Sequence, residues 1–184
     1  MVRSFDNKPI EDEKLRQILK NILSGPSAGY SQGTHIVVLK DKISRTKFYE
    51  QWGTEVQRQA YRTTWPNLEN APVILLLCAD ESRYRQRYDE PDKTSLDEDT
   101  MPWWLIDTGM AALLGLLSAV DQDLVASFTG IKSQGYMHTS FDIPADIICI
   151  GAILLGYQKG GYRPSGSVSR GKRGLDEVVH YNGW

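Results

Sequence analysis

The sequence predicts an α+β fold, one sheet with helices packed on its faces, from three observations. Amphipathic helical periods alternate with short apolar runs of strand length, and the intervals are irregular rather than those of a repeating βαβ chain. A long helix near the middle is rich in small residues, as suits an element that other backbone must approach closely. The chain has 184 residues, 41% of them hydrophobic, enough for one good core, so 1–184 reads as a single domain with 158–184 as a polar tail.

Residues 11–23 read as an amphipathic helix. Leu15, Ile18, Leu19, Ile22 and Leu23 recur at helical spacing, while Lys14, Arg16, Gln17 and Lys20 fill the other face. Pro9 precedes it and Gly25-Pro26 stops it. A short strand is expected over 35–39, a second helix over 44–61 and a buried strand over 71–79. Residues 80–101 are charge-rich without an apolar period and read as a long surface excursion, of the kind that often forms a lid. The helix over 101–120 carries Gly109, Ala111, Ala112, Gly115 and Ala119 and is apolar nearly all round, so it is expected to lack a solvent face, lying centrally or at a subunit interface. Its apolar stretch is too short for a bilayer and contains Asp107, which argues against a membrane span. The last long strand is placed at 147–157.

Several function classes are set aside. The opening residues hold Arg3, Asp6 and Lys8 without an apolar run of signal-peptide type, so a cytoplasmic location is expected. Cys78 and Cys149 fall in strand-like apolar runs and read as buried free thiols. His35, His138 and His180 are scattered, with no Cys/His spacing for a metal site. No P-loop, G-x-G-x-x-G or nucleophile with an adjacent base is present, so no catalytic side chain is assigned. A formal net charge of −2 and the lack of an extended basic face leave nucleic-acid binding unsupported.

Four segments could hold a ligand. In Ser24-Gly-Pro-Ser-Ala-Gly-Tyr-Ser-Gln-Gly33, the glycines permit close backbone approach while Ser27, Ser31 and Gln32 offer hydrogen-bonding groups to a flat heteroaromatic; an ordinary loop is the other reading. Val125-Ala-Ser-Phe-Thr-Gly-Ile131 could expose backbone N–H groups, or be a plain strand or turn. Arg163, Arg170, Lys172 and Arg173 put four cations into eleven residues without an acid, which suits a small anion such as phosphate or a solvated tail. Arg3 is an early cation just before an apolar anchor, Phe5.

In this order and at these separations the segments resemble the nitroreductase family of flavin enzymes. Arg3-Ser-Phe-Asp-Asn-Lys-Pro-Ile10 resembles its opening R-x-F-x-x-x-P-V, and Gly25-Pro-Ser-Ala-Gly-Tyr-Ser-Gln32 its A-P-S-x-x-N-x-Q loop. Asp107-Thr-Gly-Met-Ala-Ala-Leu-Leu114 is similar to its central D-x-G-x-A helix, and Arg170-Gly-Lys-Arg-Gly-Leu-Asp-Glu-Val-Val-His180 to its closing R-x-x-R-x-P-L-x-E-V-V-H stretch. The resemblance implies a central, mostly antiparallel sheet flanked by helices in an intertwined homodimer, with FMN sites built from both chains. It implies Arg3 by the pyrimidine edge of the flavin, and Pro26, Ser27, Ala28 and Gln32 lining the site from the second subunit. It implies Thr129 and Gly130 presenting backbone N–H groups towards N5, and Arg170 and Lys172, with Arg173 as neighbouring alternative, holding the phosphate. The implied activity is hydride transfer from NAD(P)H through the flavin to an electron-poor small molecule such as a nitroaromatic or quinone, with Trp103 and Trp104 as candidate pocket walls. A flavin-binding or sensory protein with little turnover is the alternative. The chain departs from the family at Tyr30 (Asn in many members), at Gly174 (Pro in many) and at Met1, where a small polar residue follows a basic pair; weaker FMN binding, or a start further upstream, is expected from the last.

Overall fold

In the computed structural model, which describes residues 1–161 and 164–184, a four-stranded antiparallel sheet carries the chain. Its strands are β1 Thr34–Leu39, β2 Val73–Asp80, β3 Val125–Thr129 and β4 Ile147–Gly156, in the spatial order β1-β2-β4-β3. The two central strands read as nearly continuous apolar runs because both of their faces are covered. On one face Ile74, Leu76 and Cys78 pack with Phe5, Phe48, Tyr49 and Trp52. On the other, Leu75, Leu77 and Ile153 meet the helices α1 (Asp12–Ile22) and α5 (Trp103–Asp121).

The first helix follows its apolar period, burying Leu15, Ile18 and Ile22. Its closest neighbour is α5, where Gly115 allows the approach: a Cβ there would lie 2.7 Å from Ile153 Cδ1 and 3.0 Å from Ile22. That packed side of α5 carries Thr108, Ala111, Ala112, Gly115, Ser118 and Ala119. Long and apolar enough by composition to cross a bilayer, α5 instead rests against α1 and the sheet. Of the two expected placements, central or at a subunit interface, the central one is not met: its other side is uncovered in the single chain, with Met110, Leu113, Leu117 and Val120 exposed at successive turns.

Two expected elements are corrected and one is added. The helix expected over 44–61 is two, α2 (Lys42–Glu50) and α3 (Glu55–Thr64). Gly53 at φ +100° breaks it, and Thr54 restarts it through a capping box with Gln57. The excursion over 80–101 contains a helix, α4 (Glu81–Tyr88), capped by the Asp80 side chain and burying Tyr84. After β3 comes another unexpected helix, α6 (Gln134–Phe141), capped by Ser133.

The N-terminal segment runs beside the free edge of β3, Val2 N–H donating to Ala126 O at 3.0 Å. Phe5, fully buried, anchors it and bridges to Gln158. Beyond β4 the tail forms a 3-10 turn at Gly166–Arg170 and a short α7 (Leu175–Val178), with Leu175, Tyr181 and Trp184 exposed. Arg163 lies outside the described residues.

Candidate functional site

The loop between α1 and β1 is held in an unusual backbone shape. Gly29, Tyr30 and Gln32 have φ of +60°, +58° and +55°, a left-handed conformation that is costly for residues with a Cβ and persists where surroundings enforce it. The main enforcer is Asp107, buried in the first turns of α5, whose Oδ2 accepts from Ala28 N–H and from the Tyr84 hydroxyl, each at 2.7 Å. Ser27 Oγ accepts from Gln32 N–H at 2.8 Å, and Arg87 Nε donates to Gly29 O at 2.9 Å. Gly33 completes the fit, since a Cβ there would lie 2.6 Å from Asp80 O and 2.5 Å from the Tyr84 ring. Burial, with the bond to Asp107 adding to it, pushes the Tyr84 phenol up to about 12.

The charged helix α4 thus braces this loop from behind through Tyr84 and Arg87, and Arg87 is itself gripped by Asp92 at 2.7 and 2.8 Å. The loop and α5 enclose a cavity of about 260 Å³ lined by Pro26, Ser27, Tyr30, Gln32 and Asp107, among others. Trp103 and Trp104 are half-buried at the start of α5, and Trp104 packs against Tyr84 with ring centroids 6.3 Å apart.

A second set of groups gathers by the opposite edge of the sheet. Arg3 lies over the Trp65 ring, 5.2 Å from its centroid, and lines another cavity of about 260 Å³ with Ser4, Asn67 and Lys159. No carboxylate lines this cavity among the described residues. Lys159 is fixed there by its backbone, which accepts from Ser4 Oγ at 2.6 Å and donates to Ser4 O at 3.1 Å. On the same edge, Thr129 ends β3 half-buried and Gly130 is exposed, with no atom within 4 Å of where a Cβ would sit. That open space leaves the Gly130 backbone accessible to a flat ring.

The two sets do not meet within one chain. Thr34, where the loop enters β1, pairs with Ala79 and so with Ile148, four residues along β4 from Ala152, the partner of Thr129. Three strand spacings and four residues of rise put them about 20 Å apart. The tail joins neither set: Arg170, Lys172 and Arg173 are exposed and, among the described residues, make no ion pair. Asp107, Tyr84, Arg87 and Lys159 were not read as site residues from the sequence. For Asp107 the available signal was a charge inside an apolar helix. Cys78 and Cys149 are free and buried as expected, and face each other across β2 and β4 with Sγ atoms 3.4 Å apart.

A family model described as the Nitroreductase family matches residues 1–157. The chain is 25% identical over 162 residues to a "Putative NADH dehydrogenase/NAD(P)H nitroreductase" of Archaeoglobus fulgidus, covering 86% of this chain and 80% of that one. It is 32% identical over 82 residues to an FMN reductase (NAD(P)H) of Bacillus subtilis, covering 45% of this chain and 29% of that protein. The solved structure of an FMN-dependent nitroreductase from Clostridium difficile superposes with a TM-score of 0.69 at 21% identity, covering 100% of this chain and 94% of that one.

Proposed function

Since the chain belongs to the nitroreductase family, and is by that membership an oxidoreductase, we propose that it is an FMN-dependent homodimer that moves hydride from NADH or NADPH to an electron-poor acceptor such as a nitroaromatic or quinone. The observation that carries this reading is the division of the ligand-facing groups between opposite edges of the sheet. Each cavity, at about 260 Å³, falls below the roughly 300–1,000 Å³ of a typical small-molecule site. Two chains meeting along the uncovered stripe of α5, the helix whose buried side lines the loop cavity with Asp107 and Ala111, would bring a loop from one chain towards the Arg3 edge of the other.

In that arrangement each residue has a definite task. Arg3 places a cation at the pyrimidine edge of the ring and favours negative charge there. Pro26, Ser27, Ala28 and Gln32 of the second subunit form the facing wall, with the Ala28 N–H already committed to Asp107 so that the wall keeps its shape. Gly130 offers its backbone N–H beside the open space that it leaves, and Thr129, held by pairing with Ala152, fixes where that N–H lies. Arg170 and Lys172, with Arg173 adjacent, supply charge-assisted hydrogen bonds to the phosphate. Bound FMN supplies the atom, N5, that accepts and returns hydride. The residues present fit that group: cations without a competing acid at one edge, accessible backbone and a pre-shaped polar loop.

The test is the absorption spectrum of the purified protein after incubation with FMN and desalting. A retained flavin spectrum that bleaches anaerobically with NADH or NADPH, and returns on adding a quinone, is expected. Retained flavin that neither nucleotide bleaches would make the protein a flavin binder rather than an enzyme. Failure to take up FMN at all would end the flavin reading.

A further inference from the structure

Gln51 is the C-cap of α2, 6% exposed, and its Oε1 accepts from Lys132 N–H at 3.1 Å. Only the amide oxygen can accept from an N–H, so this bond fixes which way the amide faces. Its Nε2 is then left buried and, among the described residues, without a partner. An unused buried donor is unfavourable, and Leu or Met would fill the same space without it. An amide at this place is explained by what its oxygen holds.

The segment it holds is the one assigned to the cofactor. Thr129 is pinned by pairing with Ala152, and Lys132 by Gln51, so only Gly130 and Ile131 span the two fixed points. The chain just beyond is tied to the same turn of α2, where Glu50 Oε2 accepts from the Tyr136 hydroxyl at 2.9 Å. That turn is held by bonds of its own. Arg58 Nη1 donates to Gly53 O at 2.6 Å, and Gln57 Oε1 accepts from Thr54 N–H at 2.9 Å.

We propose that Gln51 is a positioning residue: through Lys132 its side-chain carbonyl sets the direction of the Gly130 backbone, and so tunes flavin reduction without touching the flavin. The neutrality of the amide belongs to the same role, because a carboxylate in its place would hold the segment equally but add negative charge on the side where reduction adds electron density. This rests on the FMN reading above.

The experiment compares FMN-reconstituted wild type with Gln51→Met, which keeps the volume and loses the acceptor, and Gln51→Glu, which keeps the acceptor and adds charge. FMN affinity, the flavin midpoint potential and the rate of flavin reduction by NADH or NADPH are read for each. Gln51→Met is expected to bind FMN within about threefold of wild type and to reduce it roughly 10- to 100-fold more slowly, the scale on which small displacements act. Gln51→Glu is expected to lose some thermal stability, because it buries a carboxylate, to keep wild-type nucleotide KM, and to show a lower midpoint potential at pH values where that carboxylate is ionised. If Gln51→Met fails to fold, the potential of Gln51→Glu decides. Folded, FMN-loaded variants with wild-type potential and reduction rate would overturn the assignment alone, whereas wild-type protein that takes up no FMN would overturn both it and the reading beneath it.

Discussion

Replacing Asp107 by Ala removes a side chain that holds both the loop and its brace. Its Oδ2 receives two bonds of 2.7 Å, from Ala28 N–H and Tyr84 Oη, in a buried setting. Hydrogen bonds to a charged group are worth about 1.5–3 kcal/mol each, so the gross loss is ~3–6 kcal/mol; relief from burying the carboxylate brings the expected net to ~3 kcal/mol. With a urea m-value of ~2 kcal/mol/M the unfolding midpoint should fall by ~1.5 M. Tyr84→Phe removes one of the two bonds and should cost ~1–2 kcal/mol. The double variant should then cost scarcely more than Asp107→Ala, because the Tyr84 bond is already gone, giving a coupling energy above ~1 kcal/mol. Urea melts followed by circular dichroism measure all three variants. Asp107→Ala within ~0.5 kcal/mol of wild type, or strictly additive single changes, would refute the account of the loop as held by this carboxylate.

Arg170→Ala and Lys172→Ala should each weaken FMN binding by one to two decades, from the loss of ~1.5–3 kcal/mol of charge-assisted bonding, while riboflavin, which lacks the phosphate, binds as to wild type; fluorescence titrations with both ligands read the difference. Leu117→Asp puts a charge into the exposed stripe of α5 and should yield a monomer by light scattering that no longer retains FMN. Gly151→Ala places a Cβ 2.1 Å from Phe128 Cζ, forcing the ring out of its place at a cost of ~1–3 kcal/mol, read as a lower melting temperature. Tyr84 has its pKa raised from 10.0 to about 12, so the native state holds this proton more tightly than the unfolded chain does. Its contribution is whole below pH 10 and is lost as pH rises from about 10 to 12; Tyr84→Phe should flatten the stability profile across that window.

The parts of the fold that were legible are those whose burial shows as a pattern. Both faces of β2 and β4 are covered, so their apolar runs stand out, and α1 buries one face at Leu15, Ile18 and Ile22. The helices α4 and α6 bury chiefly Tyr84 and Met137 respectively, and one buried residue in two turns makes no stripe. What holds α4 is the Asp80 cap, the Glu81–Arg85 pair and a bond from Arg87 to the loop. The break between α2 and α3 did carry a signal, Gly53-Thr54-x-x-Gln57, which a helical period running across it obscured.

The site was legible as side chains in order, and illegible wherever backbone does the work. The loop motif and the central-helix motif are separate in sequence, yet Ala28 and Asp107, 79 residues apart, form one device. A charge buried in an apolar helix announces that some donor must meet it, but a backbone N–H has no letter of its own, so the sequence names only the acceptor. The left-handed turns at Tyr30 and Gln32 are hidden for the same reason, since neither residue type demands that conformation. Strain of this kind costs ~1–3 kcal/mol per residue, and it is tolerated here because Asp107 and Arg87 bond to the loop while Ser27 bonds across it to Gln32 N–H. The loop is therefore shaped before any ligand arrives, and the ordering cost that a flexible loop would impose on binding has already been met in folding.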